Sequence, residues 1–252
     1  MSVLVAAGQR VLPRGWADLG RQLAIWFGFL AAYQGARGIA DRDTARAFQN
    51  GLHVIGFERH SHALFELTLQ RLVDGSRLLA MLAAWTYWNS EFTVVGLALL
   101  WVYLRRNEAF VRFRNAILFA NVLGLLGYVL LPTAPPRMFP DLGFADTLAD
   151  YGGLNHGSGL VEVVSNPYAA MPSLHAADAL IVGLVLFTVC RMRWLKPLWL
   201  LWPAWVWFSV MATGNHFWLD VVAGIFVALT ALAVVYGRPL HRLRRRRLPA
   251  TA

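Results

Sequence analysis

Cysteine is almost missing from this chain of 252 residues: Cys190 stands alone. A single thiol excludes an intrachain disulfide framework and a thiolate metal cluster, and leaves Cys190 as a helix-packing residue. Charge is scarce as well, at 15% of residues against roughly 25% in a typical soluble domain. Acids are the scarcer sign, 14 against 23 lysines and arginines, for a net charge of +9. The opening MSVLVAAGQRVLPRGW has no orderly basic, apolar and small-residue cleavage pattern, so the first apolar segment is expected to be retained.

What is abundant is apolar surface, 58% of residues, with 11 tryptophans. A hydrocarbon core of about 30 Å takes around 20 apolar residues to cross. Six spans are expected, at about 19–35, 77–104, 115–131, 173–190, 197–213 and 217–236. The fold class is therefore all-α: a polytopic integral membrane protein, six transmembrane helices in one bundle, with 1–252 as a single membrane domain. Asn89, Ser90 and Glu91 sit near the middle of the second span, which suggests a bundle-facing side or an interrupted helix.

Cytoplasmic loops are enriched in lysine and arginine. Of the 23 basic residues, 16 fall before or at the start of the first span, between the second and third, between the fourth and fifth, and after the sixth. The other side carries seven, Arg37, Arg42, Arg46, Arg59, Arg71, Arg77 and Arg137, diluted by nine acids. Both termini are then expected in the cytoplasm. The basic surplus reads as topology and affinity for anionic lipid headgroups, not as nucleic-acid binding.

Two loops remain on the outer side. Residues 41–74 are mixed in charge, with Leu52, Ile55, Leu64, Leu67 and Leu72 at helical spacing, as in an amphipathic helix or helix pair lying on the membrane surface. Glu58, His60 and His62 there read as solvated or interfacial residues, with a functional role as the alternative. Residues 132–172 are rich in Pro, Gly, Asp and Asn, and a loop that long usually serves as a lid or a binding element.

Three polar stretches meet on this outer face: PTAPPR ending at Arg137, MPSLH ending at His175, and GNHFWLD with His216 and Asp220. Polar groups near bilayer depth are costly and usually face a cavity or a partner. Residues four apart on a helix share a face, so Asp220 can accept a hydrogen bond from one nitrogen of His216 and leave the other free to attack. His175 can hold the proton that a leaving oxygen needs. Ser173, the amides at the start of the fourth span and Arg137 are candidate donors to a phosphoryl group. Two other readings use the same residues: a zinc site of His175, His216 and Asp220, short of a fourth ligand, and a transporter or structural protein, with Asp178 one turn from His175 as a proton relay.

PSLH at 172–175 resembles the second motif of the type 2 phosphatidic acid phosphatase superfamily, usually Pro-Ser-Gly-His. SVMATGNHFWLD at 209–220 is similar to the third, with Ser209, His216 and Asp220 in place and Val210 where an arginine is usual. The first motif is retained only as Arg137, with Leu130 at the usual lysine and Met138 after the arginine. The resemblance covers roughly 110–236, the expected catalytic core. APPR, PSLH and HFWLD together look more like the inositol phosphorylceramide synthase branch, in which Asn215 replaces a frequent second histidine. The resemblance implies a six-span enzyme acting on a phospholipid or lipid phosphate, with His216 as the nucleophile that forms a phosphohistidine, Asp220 orienting it and His175 as general acid. It implies no metal ion and no cofactor.

Overall fold

The computed structural model describes residues 12–40, 43–151 and 167–246, which form helices and turns with no named strand among them. The helices are α1 (Gly15–Ala40), α2 (Thr44–His60), α3 (Glu66–Asp74), α4 (Arg77–Asn89), α5 (Val95–Arg105), α6 (Asn107–Leu130), α7 (Thr147–Tyr151), α8 (Leu174–Val189), α9 (Lys196–Ala212) and α10 (Trp218–Arg246). Residues 152–166 of the expected outer loop, and the end of the basic tail from 247, lie outside the described residues.

All-helical architecture agrees with the sequence reading, and two helices, Asn107–Leu130 and Trp218–Gly237, are long and apolar enough to cross a membrane. The 77–104 segment is two helices, α4 and α5, joined by a π-helical turn at Ser90–Val94. Such turns widen the helix where a polar residue must leave the ladder, and they concentrate at functional sites. The amphipathic outer segment is a helix pair, α2 and α3. Ile55 is buried, but Leu52 and Leu72 are exposed, so the outer pair turns part of its apolar surface outward.

Local chemistry starts these helices where the sequence supplies a cap. Asp43 accepts from the Arg46 amide at 3.0 Å ahead of α2, and Ser76 from Leu79 at 3.4 Å ahead of α4. The central packing is α6, α8 and α10, with Phe113, Ile117, Leu174, Ile181 and Ala228 buried between them. Small residues let these backbones approach, the usual means of helix association where lipid offers no hydrophobic drive. A Cβ on Gly124 would meet Leu174 at 2.5 Å, and one on Gly224 would collide with the Ser173 carbonyl. The start of α8 is thereby clamped between α6 and α10.

α1 is held across the bundle by polar contacts. The Tyr103 hydroxyl of α5 donates to Asp18 at 3.1 Å, and Arg114 of α6 donates to Gln22. Glu58 departs from expectation: far from solvated, it is fully buried, whereas His60 and His62 are exposed.

Candidate active site

The turn between α9 and α10 carries His216. Gly214 adopts φ +73, and a Cβ there would lie 2.5 Å from the Ala145 carbonyl, so both the backbone conformation and the space require glycine. The amides of Asn215 and His216 both donate to the Val210 carbonyl at 3.1 Å, wrapping the turn over the end of α9. The Gly214 carbonyl in turn accepts from the Arg137 amide at 2.8 Å, which brings the loop after α6 to the same place.

His216 is buried at 3% exposure. Its Nδ1 lies 2.9 Å from the Ala170 carbonyl and 3.5 Å from Asp220 Oδ2. A carbonyl only accepts, so Nδ1 carries the proton and Nε2 keeps its lone pair. Asp220 is close to His216, as its position four residues on requires, but the shorter contact is to a backbone oxygen. That oxygen is placed by a single bridge of parallel type: Thr133 donates to the Tyr168 carbonyl at 2.9 Å and accepts from the Ala170 amide at 3.2 Å.

His175 occupies the first turn of α8. Its ring stacks on Tyr87 of α4 at 4.4 Å and lies 5.6 Å, centroid to centroid, from that of His216. Its Nε2 is 3.3 Å from Glu91 Oε2, on the π turn. Asp178, one turn on, receives the Asn121 amide on both oxygens at 3.1 Å.

Arg137 joins the site through Asn215, whose Oδ1 accepts from Nη1 at 2.8 Å; Nε lies 3.7 Å from Asp146 Oδ2. A charged donor next to the histidine turn is what an anionic group needs. The Ser173 hydroxyl accepts from the Ala176 amide at 3.3 Å as the cap of α8, a bond that leaves its own O–H to donate, and its backbone amide donates to the Asp220 carbonyl at 2.9 Å.

Two buried neighbours join the site, Glu66, which the sequence reading did not single out, and Glu58, which it took first as solvated or interfacial. Three consecutive amides open the helix after His216, and each has its own carboxylate. Phe217 donates to Asp220 Oδ2 at 2.8 Å, Trp218 to Glu66 Oε1 at 2.7 Å and Leu219 to Glu58 Oε1 at 3.3 Å. The unpaired amides of a helix start and its dipole favour such acceptors. Burial, reinforced by the nearby Glu66 charge, nevertheless pushes the Glu58 carboxyl up to about 9, and burial raises that of Glu66. The Glu58 and Glu66 carboxyls also hydrogen-bond each other, while the far oxygen of Asp220 has no partner among the described residues. Only the pairing of two acids, eight positions apart on either side of a helix break, hinted at this arrangement in the sequence.

Comparison with known proteins follows the same residues. A family model described as the PAP2 superfamily matches 52–234. The chain is 30% identical over 140 residues to the phosphoinositol dihydroceramide synthase of Bacteroides thetaiotaomicron, covering 50% of this chain and 46% of that protein. It is 27% identical over 135 residues to the inositol phosphorylceramide synthase of Candida albicans, covering 47% of this chain and 27% of that protein. The matched stretch thus spans less than half the length of either relative. No solved structure matches.

Proposed function

The chain belongs to the PAP2 superfamily, and from that premise we propose that it is a membrane phosphotransferase that cleaves a lipid phosphoester through a phosphohistidine at His216. One observation carries the reading: His216 Nδ1 faces the Ala170 carbonyl at 2.9 Å, which leaves Nε2 as the nucleophile. Asp220, 3.5 Å from Nδ1, offsets the positive charge that develops on the ring as Nε2 bonds to phosphorus. His175 gives a proton to the departing oxygen and takes one back from the group that cleaves the intermediate. Arg137, steadied by Asn215, holds the non-bridging oxygens. The reaction is balanced without any further reactant: an O–P bond breaks as an N–P bond forms, and the reverse happens with the acceptor.

The substrate class follows from the cations at hand. Val210 is buried in apolar packing and Leu130 is an exposed apolar side chain, at the two positions where the family usually places basic residues. Arg137 alone suits a phosphodiester, with one negative charge, better than a phosphomonoester with two. The names of the two relatives, both synthases of phosphoinositol-bearing sphingolipids, agree with a diester donor and a lipid alcohol as acceptor. In the membrane we place the whole chain as one domain with six spans, both termini cytoplasmic and the histidines on the outer side, the orientation that the basic loops favour.

A phosphoramidate survives base and breaks down in acid. Rapid quenching of the purified protein with a phosphorus-labelled diester should trap base-stable label on wild type and on His175→Ala, and none on His216→Gln. Turnover without any base-stable label in the first two proteins would make water the nucleophile and remove His216 from that role.

A further inference from the structure

Glu91 is the carboxylate beside His175, and the reaction above does not use it. It projects from the π turn with its side chain 18% exposed, and Nε2 of His175, 3.3 Å away, is its ion-pair neighbour among the described residues. Around it lies a cavity of about 300 Å³. That is at the small end of ligand pockets, roughly 300 to 1,000 Å³. Its lining is mostly apolar: Phe29 and Leu30 of α1 and Phe92 supply apolar side chains, while Glu91, Asn121 and His175, with Gln34 on α1, supply polar ones. A group in it touches the His175 ring on the side that Glu91 faces, while the Arg137 guanidinium is tied to Asn215, next to His216.

Charge divides the substrate between these two places. A phosphoryl oxygen beside the Glu91 carboxylate would be repelled, whereas a hydroxyl there meets acceptors. The apolar and polar side chains together describe one chemical class: a long-chain aliphatic alcohol, its hydroxyl on the Glu91–His175 pair and its chain along α1. We infer that this cavity is the acceptor site, that Glu91 is the residue selecting an alcohol over water, and that the chain is thereby a transferase; the inference rests on the phosphohistidine reading above. In the second half-reaction the hydroxyl oxygen bonds to phosphorus and the bond from phosphorus to His216 Nε2 breaks. The hydroxyl proton passes to the His175–Glu91 pair, replacing the one that left with the first alcohol. The carboxylate both accepts from the hydroxyl and offsets the imidazolium that forms. Water, small and without a chain to hold it, gains little from the same pocket.

The test measures where the phosphoryl group goes. Purified protein in detergent micelles is given a phosphoinositol lipid labelled in its headgroup, with n-dodecanol as acceptor. Water-soluble label reports hydrolysis, and label extracted into organic solvent as the dodecyl ester reports transfer. Wild type should form the dodecyl ester. In Glu91→Gln, which keeps the side-chain shape, the ratio of transfer to hydrolysis should fall by at least about tenfold, the size of one lost hydrogen bond to a charged group. Leu30→Trp, which fills the cavity from α1, should shift acceptor preference from dodecanol toward butanol. An unaltered ratio in both variants overturns the acceptor site, as does an equal fall of transfer and hydrolysis in Glu91→Gln. Wild type that only hydrolyses the donor sinks the inference while leaving the phosphohistidine standing. Wild type that leaves the donor intact defeats the proposed function itself.

Discussion

Replacing Glu58 with glutamine should make the protein more stable, although it removes an acid that accepts a helix-capping hydrogen bond. The carboxyl is fully buried and its acidity is displaced from 4.5 to about 9, so at pH 7 it is protonated in the folded protein and ionised in the unfolded chain. Folding must then take up a proton. A carboxyl raised on folding favours the native state fully below pH 4.5, and that advantage is lost progressively as pH rises through 9. From 4.5 to 7 the loss is two and a half units, about 3 kcal/mol at roughly 1.36 kcal/mol per unit. Glutamine is the same shape, retains an oxygen for the Leu219 amide, now 3.3 Å away, and takes up no proton. Glu58→Gln should therefore gain up to about 3 kcal/mol at pH 7 and almost nothing at pH 4.5, where wild type is already relieved. Glu58→Ala, which strands the Leu219 amide, should lose about 1 to 3 kcal/mol. Unfolding of the detergent-solubilised proteins, followed by tryptophan fluorescence at pH 4.5, 6, 7 and 8, gives all three comparisons. A glutamine variant less stable than wild type at pH 7, or one whose gain does not grow with pH, would refute the argument that Glu58 is neutral.

The clamp on α8 is tested by Gly224→Ala: the added methyl meets the Ser173 carbonyl, a backbone atom that cannot rotate away, so overpacking should cost about 1 to 3 kcal/mol and lower activity by shifting His175. Wild-type stability and turnover in this variant would show that α10 does not fix the start of α8. Sidedness is tested in a Cys190→Ala background with Asp141→Cys or Met192→Cys, both exposed positions. A membrane-impermeant maleimide should label 141 and spare 192 in intact cells, and the opposite pattern reverses the topology.

His216, Asp220, His175 and Arg137 were legible in the sequence because each is a costly residue at the end of an apolar run and because two of them are one helical turn apart. The Ala170 carbonyl was not, since a backbone oxygen 46 residues from the ring it receives has no residue type to announce it. Glu58 and Glu66 were hidden for a different reason: in a mixed-charge amphipathic segment an acid looks the same whether it faces water or folds inward onto another helix. Among the helices, α6 begins at Asn107, eight residues before the expected 115, because Arg114 finds Gln22 of α1 as a partner and the charged first turns need no separate loop. α10 runs on to Arg246 past the expected 236, through Pro239, whose missing N–H removes one ladder bond, into an arginine-rich end of good helix formers. The interruption of the second span was visible as Asn89, Ser90 and Glu91; its form, a π turn that aims Glu91 at His175, depends on a neighbour 84 residues later.

On the proposed mechanism the two buried glutamates and Asp220 serve one end. Three carboxylates on three successive amides cannot all be ionised so close together in a buried place without large cost. The catalytic cycle puts positive charge on the His216 ring, and Asp220 Oδ2 is the carboxylate oxygen 3.5 Å from it. Keeping Glu58 protonated removes one negative charge from beside Asp220 without giving up an acceptor for the Leu219 amide. The helix start is then capped three times over, by Asp220, Glu66 and Glu58 on the Phe217, Trp218 and Leu219 amides. Across the site the same economy recurs in reverse: Arg137 is the cation held at the histidine turn, Glu91 the anion held at the alcohol cavity, and the scissile bond must lie between them. On the acceptor-site reading, a substrate bound the other way round would place phosphate on a carboxylate and an alkyl chain on a guanidinium, so that reading carries one direction of lipid entry with it.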